Sequence, residues 1–237
     1  MNLVLLEVSD FIDSENRIAR LTGRRLDHVR SVCKVSVNES LRVGLINGKC
    51  GISTVLHIDE ARLDLQVELS DTPPPPLQLT LVMALPRPKS LVKSLQAAAS
   101  LGIKKIFIIE SWRVEKSYWS SLVLRPERLE QELMLGLEQG RDTIMPEIEI
   151  RRRFKPFAED ELPGMLNGST GFVAHPYDSV LCPFNMRGPL VLLIGPEGGF
   201  IPYEISLLRE IGCTSVTIGE RILRVETAIA AFAGRLC

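Results

Sequence analysis

Paired cysteines and paired histidines are missing from this chain. Its five cysteines, Cys33, Cys50, Cys182, Cys213 and Cys237, form no CxxC pair, which excludes zinc-ribbon and dithiol-redox motifs. An odd, widely spaced set fits reduced thiols, so a cytoplasmic location is expected. The three histidines, His28, His57 and His175, stand apart with no HExxH spacing, and no metal is expected. No apolar run approaches the roughly 20 residues of a membrane-crossing helix, so no membrane partner is expected. Residues 1–6 are apolar but soon meet Glu7 and Asp10, with no basic leader, and do not read as a signal peptide. A strong charge of one sign is also missing. The net charge is −1, which argues against broad attraction to nucleic acid, although distribution matters more than the sum.

What is present is an ordinary globular composition, 45% hydrophobic and 24% charged in 237 residues, with ample length for a core. The charge is uneven. From Arg17 to Lys49, eight basic residues face two acidic ones, Asp27 and Glu39, an excess of six. A second basic cluster is Arg151, Arg152 and Arg153. It either tracks an RNA backbone or borders a strand. Trp112 and Trp119 flank Arg113 and Lys116. Aromatics beside basic residues can stack a base, and core packing is the equal alternative.

Four prolines at 73–76 form a stiff spacer that cannot join a helix or a central strand. The first domain is therefore 1–72, the linker 73–76 and the second domain 77–237. Upstream, strand-like segments at 40–45, 51–58 and 63–69, with the hairpin signal Asn47-Gly48, predict a small, mostly β domain. Downstream, strands are expected at 79–85, 105–109, 147–151, 171–174, 190–194 and 215–218. Helices are expected at 89–101, 126–139, 202–211 and 225–236. That alternation predicts an α/β fold with a mainly parallel sheet covered on both faces. The last helix is rich in small residues, Ala228, Ala230, Ala231, Ala233 and Gly234. It is either packed deep or a contact between copies.

The glycine-rich stretch Gly195-Pro196-Glu197-Gly198-Gly199-Phe200 lies between an apolar strand ending at Ile194 and a helix starting at Pro202. Such a turn places bare backbone at the carboxyl edge of a sheet, where open α/β folds bind ligands. Neither a P-loop nor a dinucleotide fingerprint fits. Glu197 would repel phosphate and suits a cationic or zwitterionic ligand such as a sulfonium. The alternative is a tight turn that needs glycine for its geometry alone. A second such turn spans Ile218, Gly219, Arg221, Ile222, Leu223 and Arg224, and the two together point to one cofactor pocket.

These residues resemble the SPOUT (α/β-knot) RNA methyltransferases and, more narrowly, the 16S ribosomal RNA (uracil-N3) methyltransferase family. The resemblance rests on the 195–200 stretch, Glu204, Ile218-Gly219 and the run Arg221-Ile222-Leu223-Arg224-Val225-Glu226-Thr227-Ala228. Matches continue through Pro88-Lys89, Arg113, Lys116, Glu138-Gln139 and Arg141, and through Gly23-Arg24-Arg25 with His28-Val29-Arg30. It implies a C-terminal trefoil-knot domain and an N-terminal PUA-like β-barrel that binds RNA. It also implies a homodimer formed through the knot domain, and 16S ribosomal RNA or the small ribosomal subunit as partner.

The implied cofactor is S-adenosylmethionine, held by three loops. The first carries Ala174 and His175; the second Ile194, Gly195, Pro196, Glu197, Gly198 and Gly199; the third Ile218, Gly219, Ile222 and Leu223. Arg24, Arg25, Arg30 and Lys34 are the expected RNA contacts. Uracil N3 is protonated at neutral pH, so its methylation needs a base or a positive field. Arg224 is the expected anion stabiliser and Glu226 the expected base or orienting residue; for Glu226 the alternative is a helix-start acid. His175 reads as a backbone-positioning loop residue rather than a base. The chain departs from the family at Ile201-Pro202, where a serine cap is usual, at Ser100, at Cys33-Lys34 and at Gln139-Gly140-Arg141. The same chemistry on a different RNA, and a non-catalytic RNA-binding or assembly factor, are the alternatives.

Overall fold

A computed structural model describes residues 2–15 and 17–237. Met1 and Asn16, which fall within the expected first domain, lie outside the described residues. The chain forms two compact units, Met1–Pro75 with Met134–Met145, and Pro76–Leu133 with Pro146–Cys237.

The first unit is built on a five-stranded sheet of β1 (Val4–Leu6), β2 (Ile18–Leu21), β3 (Ser40–Leu45), β4 (Cys50–Ile58) and β5 (Leu63–Asp71), in the order β1-β3-β4-β5-β2. The β1–β3 pair is parallel and the others antiparallel. Alternate residues of these strands, among them Val43, Val55, Leu63, Leu65 and Val67, meet Leu26 and Val29 in one core. Asn47 takes φ 57° at the β3–β4 hairpin, as the Asn-Gly turn requires. Thr143 Oγ1 donates to the Gly48 carbonyl at 2.6 Å, and the Asn47 N–H donates to the Thr143 carbonyl at 2.8 Å. Residues near 143 are therefore integral to this unit.

One element here is illegible in the sequence. Helix α1 (Gly23–His28) runs into a wide π-type turn, Val29–Cys33, ended by Lys34 at φ 52°. It has no side-chain N-cap and only two fully buried positions, Leu26 and Val29, too few to show a helical period.

The second unit holds β6 (Leu77–Ala84), β7 (Ile103–Ile109), β8 (Glu147–Arg151), β9 (Thr170–Ala174), β10 (Val180–Leu181), β11 (Leu190–Ile194) and β12 (Thr214–Thr217). Their order is β10-β12-β9-β11-β6-β7-β8, and every pairing is parallel. Every residue of β11 is buried, as expected for a parallel strand covered on both faces.

Helix α2 (Pro88–Ser100) starts with Pro88 and buries Leu91, Leu95, Ala98 and Ala99 on one face. Helix α3 (Pro126–Gly140) follows. Short helices α4 (Phe154–Pro156) and α5 (Leu162–Leu166) come next, then α6 (Pro202–Ile211) and α7 (Val225–Leu236). Helix α7 buries Val225, Ala228, Ile229, Phe232, Ala233 and Leu236, and exposes Thr227, Ala230 and Gly234. Among the described residues, no helix is long and apolar enough to cross a membrane.

Candidate active site

Parallel strands end on the same sheet edge, so the loops after neighbouring strands converge there. Strands β12, β9 and β11 are neighbours, and the loops after all three line one cavity of about 240 Å³. Ala174 and His175 come from the β9 loop. Ile194, Gly195, Pro196, Glu197, Gly198 and Gly199 come from β11 and its loop. Ile218, Ile222 and Leu223 come from the β12 loop. Gly219 lies beside it, in an adjoining hollow with Glu220 and Arg221. The structure thus brings together eleven of the twelve expected cofactor residues, with the twelfth next in the chain.

The β11 loop is shaped by its backbone. Gly199 adopts φ 70° and donates its N–H to the Pro196 carbonyl at 2.7 Å, a tight turn that an L side chain strains. A Cβ on Gly195 would lie 3.0 Å from the Phe200 nitrogen, so any larger residue there would push the loop backbone outward. The Glu197 carboxylate accepts the Arg87 backbone N–H at 3.1 Å, which fixes a negative charge at the cavity wall. Arg113 donates from Nη1 to the Gly198 carbonyl and also lines the cavity.

The His175 N–H donates to the Val216 carbonyl at 3.0 Å, tying the β9 loop to β12. Burial, then the nearby Arg209 charge, lowers the His175 pKa from 6.5. The hydrogen bond is made by the His175 backbone and positions the loop.

Lining residues that sequence reasoning missed are Tyr177, Thr217, Val225, Ala228 and Phe232. The last two lie i, i+4 apart on the buried face of α7, a pattern that reads as core. Glu204 was matched to the family motif, but its contacts were unforeseen. Only 2% exposed, it accepts the N–H of Ile201 at 2.9 Å and of Trp112 at 2.8 Å. The first bond is half of a capping box; the other half, a side-chain acceptor at position 201, is missing with isoleucine there.

The two expected catalytic residues lie off the cavity lining. Arg224 is the N-cap of α7 and is exposed. The Glu226 carboxylate accepts a hydrogen bond from Ser90 Oγ at 3.0 Å and sits 3.9 Å from Lys93 Nζ, both on α2. The Glu226 carboxylate is thus turned to α2, at the favourable position of a helix start.

Of the expected RNA-binding residues, Arg25 is held internally. It makes a bidentate pair with Asp10 at 2.6 and 2.7 Å and a third bond to the Leu5 carbonyl, with its side chain only 20% exposed. Arg25 is thus committed to partners within the first unit. Arg24 pairs with the buried Glu138 at 3.2 Å, and Arg30 lies 3.6 Å from the exposed Glu60. Lys34 is exposed. Part of the excess of six positive charges in this window is thus countered by acids outside it, Asp10, Glu60 and Glu138. Arg151 is engaged by Glu149 and Glu161, and Arg152 lies over the Trp119 ring at 5.2 Å.

Comparison with known proteins accords with this geometry. The model of the RNA methyltransferase domain matches residues 73–236. Ribosomal RNA small subunit methyltransferase E of Treponema pallidum is 28% identical over 98% of this chain and 88% of its own length. The protein of the same name from Mesomycoplasma hyopneumoniae is 28% identical over 88% of each. A solved Neisseria gonorrhoeae ribosomal RNA small subunit methyltransferase E, bound to S-adenosylmethionine, superposes with TM-score 0.74 at 22% identity, over 98% of this chain and 95% of that one. A Legionella pneumophila protein, solved with the same cofactor, gives 0.76 at 20% identity, again over 98% and 95%. The fold is the one the resemblance implied, an α/β-knot domain preceded in the chain by a small β domain. With a cavity built from three loops at one sheet edge and a family model covering that whole region, the chain belongs to the RNA methyltransferase domain family.

Proposed function

We propose that this protein methylates N3 of a uridine in 16S ribosomal RNA of the small subunit. The methyl donor is S-adenosylmethionine, and the protein works in the cytoplasm as a homodimer formed through its C-terminal unit. The observation that carries the reading is the convergence of the β9, β11 and β12 loops on one cavity.

The residues present fit this cofactor. Ile194, Ile218, Ile222 and Leu223 offer apolar wall, and the glycine-bearing loop offers bare backbone. The Glu197 carboxylate, held by the Arg87 N–H, suits a cationic group and would repel phosphate. When bound, S-adenosylmethionine supplies a methyl group on a positively charged sulfur. The chain's own task is to orient the base and favour its N3 anion. Arg224, at the start of α7, is the proposed anion stabiliser, and Glu226 orients that turn by its bond to Ser90. In the first unit, Arg30 and Lys34 are the better candidates for phosphate contact, with Arg24 partly committed to Glu138.

Dimer formation is supported by exposed apolar surface. Val180, Leu181 and Phe184 are 59–72% exposed. The neighbouring Asn185 and Met186 N–H groups bond to carbonyls of Arg235 and Leu236 at the end of α7. Large apolar side chains left exposed close together in the chain suit an interaction surface.

The test is nucleoside mass analysis of small ribosomal subunits from a deletion strain, before and after incubation with purified protein and S-adenosylmethionine. The expected product is 3-methyluridine in 16S RNA; no methyl transfer, or transfer to another base, overturns the reading. Modification of a different RNA is the second reading, favoured by the ion pairs that hold Arg24 and Arg25.

A further inference from the structure

We infer that Trp112 is the platform on which a base of the RNA stacks, and that Glu204 is the positioning residue that holds this platform beside the cavity. The inference rests on the RNA-methyltransferase reading above.

Three observations combine. First, the segment after β7 leaves the same sheet edge as the cavity loops, since β7 is parallel to β6 and β6 to β11. Arg113 in this segment lines the cavity and bonds to the Gly198 carbonyl. Second, the backbone at Trp112 is pinned. Its N–H donates to Glu204 Oε1, while Glu204 Oε2 accepts from Ile201. The two oxygens of one buried carboxylate thus tie the Trp112 segment to the start of α6. Charge-assisted bonds of this kind are the strong ones, and a buried carboxylate is costly unless so engaged.

Third, the Trp112 ring is 79% exposed although its backbone is fixed. A large apolar ring held in water on a rigid backbone is unfavourable alone and suits a partner with a flat face. Trp119, by contrast, is half-buried with Arg152 over its ring. Single-stranded RNA presents unstacked bases, which proteins meet with aromatic rings and guanidinium planes. Next in the chain, Arg113 keeps N–H donors beyond the one given to Gly198, and a pyrimidine with carbonyl edges can accept them.

A Trp119→Phe variant leaves Trp112 as the sole tryptophan. Titrating it with a short single-stranded oligouridine RNA should quench its fluorescence saturably. Trp112→Ala should raise the KM for small ribosomal subunits by about tenfold with little change in kcat, and Trp112→Phe should recover most of the loss. Affinity for S-adenosylmethionine, read by calorimetry, should stay within about twofold in both Trp112 variants. Glu204→Gln should raise the same KM, and adding it to Trp112→Ala should have little further effect.

An unquenched ring together with an unchanged KM in Trp112→Ala overturns the inference, whether or not Glu204→Gln folds. Fluorescence that follows protein concentration instead of RNA also overturns it and marks a contact between copies. A Trp119→Phe variant that quenches with oligouridine, beside a wild type that transfers no methyl group, overturns the proposed function and leaves the platform standing.

Discussion

At the scale of single residues, local charge was a poor guide to charge available for binding. Arg25 and Asp10 lie close enough in sequence to be paired by eye, but nothing in their spacing predicts it. Glu138 meets Arg24 from 114 positions away. A window from Arg17 to Lys49 therefore overstates the free positive field. Removing Arg25 strands the nearly buried Asp10, so Arg25→Ala should destabilise the protein by about 2–3 kcal/mol, read by urea unfolding. Lys34→Ala should leave stability nearly unchanged and reduce the slope of log affinity for RNA against log salt by about 0.7–0.9. If instead Arg25→Ala is neutral and Lys34→Ala leaves the salt slope intact, the assignment of the two residues is reversed.

At the scale of elements, legibility followed length and burial. β8, β11, α6 and α7 fall at the expected limits. A continuous apolar run such as Leu190–Ile194, or a proline start such as Pro202, signals itself. β1 and β2 have three and four residues, too short for a period to emerge. The cavity loops were legible because glycine and proline mark backbone that must turn. Glu204 was legible only through the family resemblance, because its second partner, Trp112, is 92 positions away. The start of α7 joins both lessons. Arg224→Ala should lower turnover by roughly 10²–10³-fold and weaken S-adenosylmethionine binding much less. Equal losses in single-turnover rate and calorimetric affinity would make Arg224 part of the pocket wall. Glu226→Gln should cost about 0.5–1 kcal/mol of stability and a smaller part of the rate.

At the scale of the whole molecule, the proposed dimer would cover Val180, Leu181 and Phe184, which are exposed in the single chain. The protein should sediment and scatter light as a dimer at micromolar concentration. Leu181→Asp, on the edge strand β10, should shift it toward monomer without loss of helix or strand content. A wild-type monomer, or a Leu181→Asp dimer of unchanged affinity, would remove this face from the interface.

The strand order also dictates when the cavity can first exist. β12 is the last strand made, yet it seats beside β9 and not beside β11, the strand before it in sequence. Its third loop and Phe232 of α7 are absent from any chain that stops after β11. Pairings between remote segments form slowly. A chain that stops short of β12 therefore has no complete binding cavity, and ligand capture becomes a late clock for folding. During refolding from urea, far-ultraviolet signal should recover before binding competence does.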